Sequence, residues 1–184
     1  MSRGLGDVYK RQSLGLACSS VVVFANTTKA TKSTGSTTQS SLTVEQAKEK
    51  ALNESKSGQV IGYEQENKSR KTVFEITILD GQNEKEYKID GQTGDVLKSK
   101  TKDLTKDKDD KQLINASYKI DLAGAESQVK SKYPKATIEK LQLDVENNTL
   151  VYDVSLTEGK KEIDLELDAN TGQIVEEEIE TDKD

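Results

Sequence analysis

The chain has 184 residues, 32% hydrophobic and 33% charged, with one Pro, no Trp and a net charge of −6, so it folds only if its few apolar residues are placed periodically. With no His and a single Cys, it lacks the parts of Ser-His-Asp and Cys-His sites, the commonest transition-metal ligand, a disulfide and a thiolate zinc cluster. The charge is uneven, about +4 before Ile120 and −10 from Ile120 onward, and an acidic half without a basic aromatic stripe argues against nucleic acid.

Residues 1–12 (MSRGLGDVYKRQ) read as translated adaptor or vector sequence: they hold Arg3 and Arg11, two of the three Arg, whereas the rest of the chain relies on Lys. Residues 13–25 (SLGLACSSVVVFA) are uncharged and apolar. They are too short to cross about 30 Å of hydrocarbon. Lys10 and Arg11 precede them, and Val23 and Ala25 stand at the −3 and −1 positions of a cleavage site. That is the pattern of a secretory signal, so the expected location is extracytoplasmic, secreted or at the surface of a Gram-positive bacterium. Cys18 follows Gly15-Leu16-Ala17, a partial lipobox with Leu at −2 instead of −3. Lipidation there would leave Val21–Phe24 exposed on the mature chain, so release without a lipid is expected. Residues 26–41 form a Ser/Thr/Lys-rich spacer.

A shift of 78 residues then aligns residues 42–98 with 120–176 without a gap. Ala47 falls on Ala125, Val73 on Val151, Gly81 on Gly159, Asp90 on Asp168, Thr93 on Thr171 and Gly94 on Gly172; Phe74/Tyr152, Ile76/Val154 and Val96/Ile174 keep their character. Apolar pattern and turn chemistry agreeing over 57 residues indicate a duplication.

Each unit opens with a helix. Thr43 and Gln46 fit a capping box, Leu42 a staple, and Val44, Ala47 and Ala51 an apolar stripe. In the second unit Asp121 is the N-cap, Leu122, Ala125 and Val129 form the stripe, and Pro134 stops the helix near Tyr133. Phe74, Ile76 and Ile78, and Tyr152, Val154 and Leu156, alternate with polar residues as in a sheet wet on one face. Leu141, Leu143 and Val145 mark an earlier strand; Tyr87 and Ile89, with Leu165 and Leu167, mark a later one. Asn147-Asn148 suits a two-residue hairpin loop, and Glu158-Gly159 the next turn.

The predicted fold is α+β: two tandem small domains, 42–98 and 120–176, each one helix on a three-stranded antiparallel sheet. A charged, aperiodic linker (99–119) is expected to be flexible, and 177–184 is an acidic tail. Units of about 60 residues are marginal as single cores, which leaves open whether they lean on each other.

Each unit ends in Asp-x-x-Thr-Gly-x-Val/Ile: Asp90, Thr93, Gly94 and Val96, then Asp168, Thr171, Gly172 and Ile174. A capped helix, a Phe/Tyr-centred strand and this ending resemble the PepSY domain over both units. The residue types suit a structural turn, with Asp capping, Thr bonding locally and Gly supplying the backbone angle. The resemblance implies a module of secreted-peptidase propeptides and small envelope proteins that restrains peptidase activity. With no peptidase domain in this chain, such action would be in trans on an extracellular peptidase or another envelope protein. The alternative is a structural or sensing component of the cell envelope. A two-carboxylate hydrolase drawn from Asp153, Glu162, Asp164 and Glu166 is disfavoured, because these positions alternate with the apolar face. The tail Glu176–Glu180 lacks the Gly-centred spacing of a calcium loop.

Overall fold

The computed structural model describes residues 41–68, 71–114 and 116–181. The expected signal segment, Cys18 and the spacer up to Ser40 lie outside the described residues.

Helix α1 (Val44–Ser55) begins at Thr43, whose backbone is extended. Its Oγ1 accepts from the Gln46 N–H at 3.3 Å, and the Gln46 side chain accepts from the Thr43 N–H at 2.9 Å. Helix α2 (Leu122–Lys132) starts under Asp121, whose Oδ1 accepts from the Gly124 N–H at 2.8 Å, and ends at Tyr133 before Pro134. Each helix buries a short stripe, Ala47, Ala51 and Ser55 in α1, Ala125 and Val129 in α2.

Eight strands follow these helices: β1 (Gln59–Lys68), β2 (Lys71–Asp80), β3 (Asn83–Asp90), β4 (Val96–Asp103), β5 (Thr137–Glu146), β6 (Thr149–Glu158), β7 (Lys161–Asp168) and β8 (Ile174–Thr181). Each repeat therefore carries four strands, and the two repeats do not form separate three-stranded sheets. They build one antiparallel sheet in the order β4-β3-β2-β1-β5-β6-β7-β8. The strands added to the three expected per repeat are β4 and β8, and β1 is the first-repeat strand that no apolar alternation marks. In β1 a bulge between Val60 and Gly62 breaks the alternation that would mark a strand. The outermost strands β4 and β8 are Lys- and Glu-rich and largely exposed, so burial imposes no apolar period on them.

Two further boundaries change for the same reason. Ser99–Asp103 belong to β4, and the connection beyond contains two short 3₁₀ turns, Leu104–Lys106 and Asp110–Gln112. Leu104 and Leu113 are buried, and the Leu104 N–H donates to the Gln82 carbonyl at 3.0 Å. The flexible-linker expectation for 99–119 is thus corrected: Leu104 and the adjacent Leu113 and Ile114 pin it to the core. Likewise Glu177–Thr181 are strand residues of β8, not a free tail.

Hairpin geometry follows the turn residues. Asn147 and Asn148 both have positive φ (50° and 61°), as a two-residue loop between right-twisted strands requires. Phe74, Ile76, Ile78 and Ile89 of the first repeat and Tyr152, Val154, Leu156, Ile163, Leu165 and Leu167 of the second join a single core cluster under the two helices. Pooling the apolar residues of two marginal units into one core is how so polar a sequence reaches a stable size.

Candidate functional site

The repeated Asp-x-x-Thr-Gly segment closes the corner between the third and fourth strand of each repeat. Asp90 Oδ1 accepts from the main-chain N–H of Gln92 (2.8 Å) and Thr93 (3.0 Å), and the Gly94 N–H donates to the Asp90 carbonyl at 2.8 Å. Gly94 sits at φ +73°. Asp168 repeats this with Asn170 (2.9 Å) and Thr171 (2.7 Å), and the Gly172 N–H reaches the Asp168 carbonyl at 2.8 Å. Main-chain donors from Thr93 and Gln92 hold the Asp90 carboxyl below its usual range, and Thr171 does so for Asp168.

Beside each corner the chain enters its helix. The Leu42 N–H donates to the Gly91 carbonyl at 2.6 Å, and the Ile120 N–H to the Ala169 carbonyl at 3.0 Å. The six motif residues Asp90, Thr93, Gly94, Asp168, Thr171 and Gly172 fall into two such corners, one per repeat. Their polar groups point into the turn itself, so the corner has little left to offer a ligand.

Between the repeats lies a pseudo-two-fold relation. Strand β1 pairs with β5 through Gly62↔Gln142, Tyr63↔Leu141 and Glu64↔Lys140. Tyr63 and Leu141 are 78 residues apart, so each repeat meets its own equivalent there. Directly above, Lys48 of α1 and Glu126 of α2 also differ by 78 and form an ion pair at 3.4 Å. Lys48 Nζ lies 4.1 Å from the Tyr63 ring centroid. Burial raises the Glu126 carboxyl, but Lys130 and Lys48 outweigh it and hold the group below its ordinary value. The Tyr63 phenol is pushed well up by burial and by Glu126.

The face opposite the helices is where the repeats part. In the first, Glu75 pairs with Lys88 at 2.6 Å and Glu86 with Lys100 at 3.2 Å. In the second, β7 and β8 set Glu166 opposite Glu176, Asp164 opposite Glu178 and Glu162 opposite Glu180. The sequence offset explains the contrast: Lys98, Lys100 and Lys102 of β4 correspond to Glu176, Glu178 and Glu180 of β8. Like charges directly opposite are unfavourable. Burial, Glu176 and Glu146 raise the Glu166 carboxyl.

The four carboxylates weighed for hydrolysis are spread over this face. Asp153 pairs with Lys140, Asp164 accepts from Ser155 Oγ at 2.7 Å, Glu162 is exposed and Glu166 half-buried. None lines the cleft of about 20 Å³ among Glu75, Glu86, Lys88, Lys98 and Lys100. None lines the open groove of about 210 Å³ beside Lys132, Ile174, Val175, Glu176 and Glu177 either. Among the described residues no group of three acidic or thiol side chains is placed to hold a metal ion, and no helix is long and apolar enough to cross a membrane. Sequence reasoning did not find the outer edges as strands. The signal was the exchange of three Lys for three Glu at matched positions, visible once the repeat is aligned.

A helix and a four-stranded meander, repeated and joined edge to edge, define a tandem α+β repeat protein. Residues 41–100 and 119–178 each match the PepSY family, described as the peptidase propeptide and YPEB domain, and the chain belongs to that family. No curated protein matches it. Among solved structures it is similar to a candidate lipoprotein from Clostridium difficile 630, at 21% identity over 71% of this chain and 88% of that one, with a TM-score of 0.45. It is also similar to the Bacillus megaterium YpeB C-terminal domain, at 15% identity over 77% of this chain and 66% of that one, with a TM-score of 0.34.

Proposed function

We propose that this protein is an exported, non-catalytic binding module that modulates an extracellular peptidase in trans. The observation that carries the reading is the double match to a domain described as a peptidase propeptide, once over each repeat. A propeptide module acts by contact with its peptidase, and this chain offers contact surfaces in place of a catalytic constellation. Its inventory of no His and one Cys supports the same view, since the usual nucleophile–base pairs cannot be assembled from it. Among the described residues both outer strands of the sheet have a free edge, and an edge strand can pair with an extended segment of a partner.

The test is titration of the purified protein into secreted peptidases of the source bacterium, reading both hydrolysis rate and complex formation. A saturable change in rate with a one-to-one complex is the expected result. Unchanged rates and no complex across that panel would remove the proposal.

A further inference from the structure

We propose that copies of this protein associate head to tail, with strand β8 of one copy adding to strand β4 of the next to continue the sheet. The two strands are its outermost members. Leu97–Thr101 of β4 and Val175–Thr181 of β8 are exposed.

Topology permits this addition. All seven neighbouring pairs are antiparallel, so β4 and β8 run in opposite directions. A copy displaced along the sheet therefore brings its β4 antiparallel to β8, with helices on the same face. Residues 100 and 178 are equivalent and pair in the same way with their inner neighbours, Glu86↔Lys100 and Asp164↔Glu178. Their main-chain groups thus have matching orientation at the free edge, and setting one opposite the other makes a regular rung.

Charge selects the partner. That register places Glu178 opposite Lys100, Glu176 opposite Lys102 and Glu180 opposite Lys98, all on the face away from the helices. Lys100 holds Glu86 and Lys102 holds Asp110 within the chain, but an ammonium has three donors and can donate to a second carboxylate. The acidic row would gain the counter-charges that β7 denies it. The alternatives are repelled: β4 against β4 sets Lys rows together, and β8 against β8 sets Glu rows together. Charged edges ordinarily block sheet addition; edges of opposite sign block it only between like edges. On the other face of these strands, Leu97 (56% exposed), Val175 (58%) and Ile179 (50%) would lose solvent contact.

Sedimentation velocity at low ionic strength, across a wide concentration range, tests the proposal. The protein is expected to show a concentration-dependent rise in mass that added salt suppresses. The triple variant E176K/E178K/E180K has two basic edges and K98E/K100E/K102E two acidic ones. Each alone should associate roughly tenfold or more weakly, and mixing them should restore association. Circular dichroism confirms that both remain folded; the first removes like-charge pairs, so its fold is not at risk. A monomer at every concentration, association undiminished by the basic-edged variant, or no recovery on mixing would each overturn the proposal.

Discussion

Lys48 and Glu126 meet at 3.4 Å although 78 residues separate them, and that separation is the repeat offset. The same position of the sequence has diverged into opposite charges where the two copies touch. Both side chains are 16% exposed, so the pair is partly desolvated, and Lys48 gains a second partner in the Tyr63 ring. The equivalent of Tyr63 is Leu141, which offers a cation no such face.

This asymmetry predicts the outcome of exchanging the pair. Lys48→Glu puts a carboxylate beside Glu126 and over the negative ring face of Tyr63. A loss of about 2 kcal/mol is expected from the broken pair and the lost cation–π contact. The exchange K48E/E126K restores the ion pair but neither the ring contact nor the pair of Glu126 with Lys130, so it should recover only part of the loss. Urea denaturation of the three variants checks this; full recovery would show that Tyr63 contributes nothing to the contact.

Gly62 controls the junction between the copies. A Cβ there would lie 1.8 Å from Gln142 Oε1 and 2.9 Å from the Gln142 Cα. The side chain can swing away, but the Cα belongs to the strand that β1 pairs with. Gly62→Ala is therefore expected to cost about 1–3 kcal/mol. It should also speed proteolysis between the repeats, at the connection of Leu104 to Asp121. The double variant G62A/Q142A should stay destabilised, because the backbone contact remains. Thermal melts with limited proteolysis read both effects.

How much of this was legible in the sequence depends on which faces are buried. The helices, their caps, the Asn147-Asn148 loop and the paired corners at Asp90 and Asp168 each carry local chemistry that the sequence displays. β1 was hidden because Gly62 and its bulge interrupt the alternation. β4 and β8 were hidden because an outer strand can be built from Lys and Glu. The joining of two sheets into one had no local signal: Tyr63 and Leu141 look like ordinary core residues, and only their pairing makes them a junction. Leu104 and the Leu113-Ile114 pair are short apolar spots in a charged stretch, with no period to show them as buried.

Two sets of carboxylates titrate in opposite senses and together shape stability against pH. Burial raises Glu84, while burial with neighbouring Glu75 raises Glu64, and burial with Glu176 raises Glu166. A carboxyl raised in the folded state costs stability when charged, and that loss is recovered as pH falls toward its unfolded value of about 4.3. Asp90 and Asp168, held down by main-chain donors, work the other way. Their contribution is present above an unfolded value of about 3.9 and is lost as pH falls through the lower folded one. The melting temperature should rise on acidification from pH 7 toward about pH 5 and turn over below about pH 4. Glu84→Gln should flatten the rise and leave the acid limb in place. A melting temperature that falls steadily from pH 7, followed by calorimetry, would contradict this.

The last prediction concerns the cross-strand pairs in isolation, at concentrations where copies do not meet. Asp164 faces Glu178 in the second repeat, where Glu86 faces Lys100 in the first. Glu178→Lys installs in one copy the pair that the other already has. Replacing a like pair by an opposite pair on adjacent strands should add about 0.5 kcal/mol, at the lower end for such pairs because both groups are accessible to solvent. The gain should shrink with added salt, since screening weakens the repulsion removed and the attraction gained alike. Lys100→Glu is the reciprocal change and should lose a similar amount by breaking the Glu86 pair. Measured by urea denaturation at low and high ionic strength, equal and opposite shifts would mean that the acidic edge is held at a cost to stability. If Glu178→Lys instead destabilised the fold at low salt, repulsion between β7 and β8 could not be what limits the stability of that edge.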